Sequence, residues 1–193
     1  MASRTTVFHG TISKHTISLA HGIDLTISDK YTDFGQGFYV TKDKHQAQRF
    51  ASRLSKLYND KEQKKQQRNA AYRPNSVRGI VFAYSLDTAR LEKLRGYTFL
   101  SADDNWRKFV YNNRIDHSEY LLCDAGYNQQ TPPNYQYVTG PLADGSMSDL
   151  ELVKAGLIKV AQFLDGIVPI GDQIALHTNE AVNCIKGIGV SLC

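Results

Sequence analysis

Three short stretches of this 193-residue chain carry residue types that could handle a small, ring-bearing ligand. Val7-Phe8-His9-Gly10-Thr11 ends an apolar run in a histidine and a glycine. Asp33-Phe-Gly-Gln-Gly-Phe-Tyr-Val40 sets two glycines one residue apart, ahead of an aromatic pair. Asp172-Gln-Ile-Ala-Leu-His-Thr178, which sets an amide beside a carboxylate, lies near the C-terminus. Glycine leaves the backbone free to take positive φ or to press close to a ligand. An aromatic fixed at the start of a strand, beside bare glycine backbone, suits a flat ring that must be stacked upon. Each feature has a plainer use when taken singly. Most Gly-x-Gly pairs are tight turns, His9 would be an ordinary strand-end histidine, and Phe50 reads equally well as a core residue at helical spacing.

Strands and helices must position these groups. Thr6–His9, Phe38–Thr41, Gly79–Tyr84 and Ile174–His177 read as strands from their β-forming residues. Asp43 to about Tyr58 reads as a helix, with Ala47, Phe50, Ala51, Leu54, Leu57 and Tyr58 at helical spacing and Asp43 as N-cap. Thr88–Leu94, Asp104–Asn113 and Ser148–Leu164 are further predicted helices, and Asn179–Cys184 a short final one. Gly126–Asn134, with two prolines, reads as a loop. The basic run around Asp60–Asn69 reads as a solvated helix end or mobile loop rather than a nucleic-acid site, since no aromatic residues are interleaved for base stacking. No internal repeat is present. The expected architecture is one α+β domain spanning residues 1–193.

Composition agrees with such a domain. An apolar share of 41% is globular usage, and the formal net charge is a modest +4. No window approaches the ~20 apolar residues of a membrane span. The N-terminus lacks the apolar core of a secretory signal, so a cytoplasmic protein is expected, or one delivered into a target cell. Cys123, Cys184 and Cys193 form neither a CxxC nor a Cys/His cluster, so reduced thiols and no metal site are expected.

The order of the three motifs resembles the His-Tyr-Glu branch of the ADP-ribosyltransferase superfamily, which includes the diphtheria-type toxins and the poly(ADP-ribose) polymerases. From about Val7 to Ile188 the chain also looks like a bacterial domain family of unknown function assigned to that superfamily. Its further matches are Gly22-Ile-Asp-Leu25, Trp106-Arg-Lys-Phe-Val110 with Asn113-Arg114, and Gly140-Pro-Leu-Ala-Asp144. The resemblance implies an ADP-ribosyltransferase-like split antiparallel β-sandwich with surrounding helices and NAD as substrate. By the same resemblance His9 hydrogen-bonds the adenosine ribose, Gly10 backbone holds the nicotinamide amide, and Tyr39 stacks on the nicotinamide. Phe50, eleven residues after Tyr39, would cover the other face. Thr11, Gly37 and Phe38 complete the expected binding set.

Where that branch carries a glutamate, this chain has Gln173. An amide can hydrogen-bond a ribose hydroxyl but cannot take a proton. Poly(ADP-ribose) elongation is therefore not expected, whereas mono-transfer to a good nucleophile, or NAD hydrolysis, remains open. Asp144 is the leading candidate acid, although Asp144-Gly145 also reads as a turn. Asp172 and Glu180 are weaker candidates. A glutamate placed at 173 should keep NAD cleavage or raise it, because a carboxylate steadies developing positive charge. The expected activity is mono-ADP-ribosyl transfer to a macromolecule, with a protein acceptor preferred over nucleic acid, in a bacterial toxin or effector with an antitoxin or immunity partner. An NAD glycohydrolase and a non-catalytic ADP-ribose-binding module are the alternatives. RNA 2′-phosphotransferase chemistry is disfavoured by the lack of its basic phosphate-binding motifs.

Overall fold

The computed structural model describes residues 3–115, 120–143 and 147–193. Its strands are β1 (Arg4–Ile12), β2 (Phe38–Val40), β3 (Gly79–Asp87), β4 (Gly96–Thr98), β5 (Tyr137–Ala143), β6 (Pro169–Leu176) and β7 (Ile185–Leu192). Its helices are α1 (Thr16–His21), α2 (Lys44–Arg68), α3 (Thr88–Leu91), α4 (Asp104–Arg114), α5 (Met147–Lys154), α6 (Val160–Gly166) and α7 (Asn179–Val182). The chain is mixed α+β with two sheets, as expected. It divides into two compact units, one of Met1–Asp24, Val40–Arg90 and Asn183–Cys193, the other of Leu25–Tyr39 and Leu91–Val182.

The first unit holds an antiparallel sheet in the order β1-β3-β7. In its register His9 pairs with Phe82 and Gly10 with Val81. Helix α2 packs on β1 and β3, where Ala47 and Ala51 meet Val81 and the partly buried Phe8. The approach is close because glycine faces alanine. A Cβ on Gly10 would lie 2.2 Å from the Ala47 carbonyl oxygen, and one on Gly79 3.0 Å from that of Ala51. Only a residue without a side chain admits helix backbone at that distance.

Helix α2 begins where its sequence says it should. The Asp43 carboxylate accepts from the His45 N–H at 2.8 Å, which satisfies one of the free amides of the first turn. It runs ten residues beyond the expected end at Tyr58, and takes in most of the basic run. Two side chains explain the extension. Asn59 brackets Val77, donating to its carbonyl at 3.0 Å and accepting from its N–H at 2.9 Å. Glu62 accepts from Lys65 Nζ at 2.7 Å, the Tyr72 hydroxyl at 2.6 Å and the Asn75 N–H at 3.2 Å. The last two helical turns are thus tied to the returning chain, and good helix formers fill them.

The second unit holds a sheet in the order β2-β6-β5-β4. β5 and β6 are antiparallel, but β4 and β5 are parallel, an exception to the all-antiparallel expectation. The core gathers Phe34, Phe99, Trp106, Phe109, Leu150 and Phe163. Trp106 is fully buried and satisfies its indole N–H on the Pro141 carbonyl at 3.0 Å, as a buried tryptophan must. The Asp103 carboxylate caps α4 through the Trp106 N–H at 2.9 Å.

The single helix expected over Ser148–Leu164 is two, α5 and α6. Gly156 takes φ +70°, its N–H bonds the Val153 carbonyl, and Leu157 N–H bonds that of Leu152. That is a left-handed helix stop built on glycine. Strands β4, β5 and β7 were not legible beforehand. β5 contains Gly140-Pro141 and β7 contains Gly187 and Gly189, residues that depress strand propensity.

Candidate functional site

Residues 32–37 form a loop ahead of β2 whose two glycines are required for different reasons. Gly35 adopts φ +88°, a conformation that favours glycine, with Asn113 Oδ1 and the Asn128 carbonyl within 3.2 Å of where a Cβ would stand. Gly37 has ordinary backbone, but a Cβ there would lie 2.7 Å from His177 Nδ1 and 2.9 Å from the Leu176 carbonyl. Between them, Gln36 Nε2 donates to the carbonyls of Leu25 (3.0 Å), Thr26 (3.3 Å) and Ser28 (3.1 Å). The loop is therefore a fixed platform rather than an open turn.

Tyr39 ties the loop from below. Its hydroxyl accepts from the Phe34 N–H at 3.0 Å and lies 2.8 Å from Thr32 Oγ1 and 2.7 Å from the Gly35 carbonyl. Burial of this hydroxyl raises its pKa strongly, so it stays protonated. The residue as a whole is only half-buried. Its ring packs on Phe34 with centroids 6.5 Å apart and meets the His177 ring edge-on at 6.4 Å. A ring so anchored loses little freedom on stacking a ligand. Phe38 beside it is buried.

Gln173 lies on β6, opposite Gly140 of β5, and is 5% exposed. Its Nε2 donates to Asp33 Oδ2 at 2.7 Å. The same oxygen accepts the Ala143 N–H at 2.9 Å, while Oδ1 accepts from Arg114 Nε at 3.0 Å and Nη2 at 2.5 Å. Asp33 and Arg114 are both buried. A buried carboxylate persists only when paired and fully hydrogen-bonded, and this one is. Residues 81 and 140 positions apart thus meet at one carboxylate.

His177 closes the far end of β6. Its Nδ1 donates to the Gln36 carbonyl at 2.8 Å, which fixes the tautomer, because a carbonyl only accepts. Nε2 is then a buried lone pair, and it has no partner among the described residues. Burial lowers the His177 pKa to about 4, so the ring is neutral at physiological pH.

The expected site residues divide between the two units. Gly37, Phe38, Tyr39 and Gln173 belong to the second, on the neighbouring strands β2 and β6 and the loop before them. His9, Gly10, Thr11 and Phe50 belong to the first. His9 is half-buried on β1, Thr11 is buried, and Gly10 lies beneath α2. Phe50 is 47% exposed on α2, so its reading as a core residue fails. Asp144 lies outside the described residues. Asp172 and Glu180 are exposed. Among the described residues no group of three or more His, Cys, Asp or Glu could hold a metal, the cysteines are free thiols, and no helix is long and apolar enough to cross a membrane.

Sequence reasoning gave no role to Asp33, Arg114 or His177. Asp33 and Arg114 stood inside quoted motifs, yet nothing local announces that one accepts from the other. A family model described as "Protein of unknown function (DUF3990)" matches residues 5–186. No curated protein and no solved structure matches the chain.

Proposed function

The chain belongs to the DUF3990 family of proteins of unknown function, and we propose that it is an NAD-dependent mono-ADP-ribosyltransferase. The observation that carries the reading is the Tyr39 platform. A half-buried ring is locked by its hydroxyl beside two obligatory glycines, which suits stacking of a flat heterocycle such as nicotinamide. The ordered resemblance of His9-Gly10, Gly37-Phe38-Tyr39 and Gln173 to the His-Tyr-Glu branch supplies the identity of that heterocycle. On this reading the fold is of that superfamily's ADP-ribosyltransferase-like type.

In the reaction, the bond between ribose C1′ and the nicotinamide nitrogen breaks, and its electron pair leaves with neutral nicotinamide. A lone pair of the acceptor forms the new bond to C1′, and the acceptor's proton passes to solvent. Tyr39 orients the ring, His9 and Gly10 hold the ribose and carboxamide, Phe50 offers a second aromatic face, and Gln173 accepts from a ribose hydroxyl. No group at position 173 removes a proton, so acceptors must already be nucleophilic. The protein is a toxin or effector in this reading, with an antitoxin or immunity protein as its partner and no metal required.

A second reading, an NAD glycohydrolase, is favoured by the same amide, since without a base at 173 water competes with a macromolecular acceptor. Incubation with NAD labelled in the adenylate half, in a cell lysate, separates the outcomes. Label on a macromolecule as single units supports transfer, and free ADP-ribose supports hydrolysis. Unchanged NAD, bound or unbound, defeats both. Retention of ADP-ribose without turnover would mark a binding module.

A further inference from the structure

We propose that Asp33 is a positioning residue that decides which atom of Gln173 faces a ligand. It holds the amide nitrogen, so the amide oxygen is presented as a permanent acceptor. A glutamine side chain is ambivalent: rotation by half a turn exchanges a two-donor end for an acceptor end. Here the exchange is forbidden. Asp33 is an acceptor, and its Oδ2 already receives Gln173 Nε2 at 2.7 Å and the Ala143 N–H at 2.9 Å. Turning the amide would set two oxygens against each other, with both residues buried, at the full cost of an unmade buried hydrogen bond. Asp33 cannot turn away to relieve this, because Arg114 grips its Oδ1 with two donors. Arg114 comes from α4, Ala143 from β5 and Gln173 from β6, so three elements converge on one carboxylate.

Two consequences follow. The ligand group that meets residue 173 must be a donor, such as a sugar hydroxyl, and a carbonyl or phosphate oxygen is refused there. A glutamate at 173 is also the wrong replacement. It would bring a second carboxylate to Asp33, where one of the two must hold a proton. The inference rests on the NAD reading only for the identity of that donor, a ribose hydroxyl.

The test uses the full chain as wild type, D33N, Q173E and the double variant D33N/Q173E. In D33N the new amide nitrogen can face Gln173 only if Gln173 turns its oxygen inward and shows donors outward. In the double variant, the amide nitrogen introduced at position 33 donates to one oxygen of the carboxylate introduced at position 173. The other oxygen of that carboxylate is again an outward acceptor. Each single variant should therefore lose about tenfold or more in kcat for nicotinamide release, with a smaller change in KM. The double variant should exceed both singles, although only in part, because the Ala143 N–H loses its acceptor. A double variant no better than the poorer single, with all proteins folded, overturns the proposal.

Nitrogen-15 NMR of the Gln173 side-chain amide gives an independent readout that needs neither turnover nor a folded variant. The wild type should show slow solvent exchange of that NH2 group, and free-glutamine exchange overturns the proposal. If wild type releases no nicotinamide, the NAD reading fails, and the exchange measurement still decides whether Asp33 holds the amide.

Discussion

At the scale of single residues, Tyr39 has two duties that one substitution separates. Tyr39→Phe keeps the ring and removes the hydroxyl that accepts from Phe34 and reaches Thr32 and Gly35. Thr32 Oγ1 still donates to the Gly35 carbonyl at 2.6 Å, but leaving the Phe34 N–H unpaired should cost about 1–3 kcal/mol in chemical denaturation, while NAD affinity at a permissive temperature falls less than in Tyr39→Ala, which removes the ring as well. Equal NAD affinity in wild type and Tyr39→Ala would dismiss the platform. Arg114→Leu strands the Asp33 carboxylate in the interior and should cost about 3–5 kcal/mol, measured the same way. A loss under about 1 kcal/mol would mean that Asp33 is not held as described. Reading the sequence alone, a glutamate at 173 looks like an improvement. The contact with Asp33 reverses that expectation, and it could not be read from a separation of 140 positions. The glycines were legible as necessary, but not the reasons: one needs positive φ and the other makes room for His177.

At the scale of elements, α2 shows how far local pattern reaches. Its start was legible because Asp43 is a local cap, and the bond to His45 spans two residues. Its end was not, because apolar periodicity stops near Tyr58 while the helix is carried on by Asn59 and Glu62. Periodicity also overstated burial: Ala47 and Ala51 are buried, whereas Phe50 and Leu57 are about half-exposed. The Glu62 carboxyl is held down to about 2, from an ordinary 4.5, chiefly by Lys65 and then by the Tyr72 hydroxyl. A depressed carboxyl stabilises the fold above its unfolded pKa. The tie between α2 and the returning chain should thus weaken as pH falls from about 4.5 towards 2. Limited acid proteolysis at residues 69–77 should rise across that window, and Glu62→Gln should be cut more readily than wild type at neutral pH. An unchanged cleavage pattern would sink this account of the extension. Gly10→Ala sets a methyl against the Ala47 carbonyl and should destabilise the protein by about 1–3 kcal/mol or more in urea unfolding. Lost NAD binding in that variant would therefore not by itself prove a role for Gly10 in the site.

At the scale of the whole molecule, acid should act earlier than Glu62 alone allows. His177 is buried neutral with its pKa lowered from 6.5 to about 4, so the unfolded chain takes up the proton first. Its contribution is intact above about pH 6.5 and is lost as pH falls towards 4, amounting to roughly 2–4 kcal/mol. A stability profile with no slope between those limits, or one unaffected by His177→Gln, would contradict the burial of that ring. The mixed α+β class and the order of the motifs were legible in the chain. The parallel β4–β5 pair and the glycine-bearing strand β7 were not, since pairing partners far apart in sequence, not local propensity, make those strands. The central claim is that this chain cleaves NAD at the nicotinamide–ribose bond. Its most direct test is to incubate the purified protein with NAD and quantify free nicotinamide over time. The account predicts nicotinamide released in step with NAD lost, abolished in Tyr39→Ala and insensitive to chelators. NAD recovered intact, with no nicotinamide formed by folded wild-type protein in the presence of lysate acceptors, would contradict it.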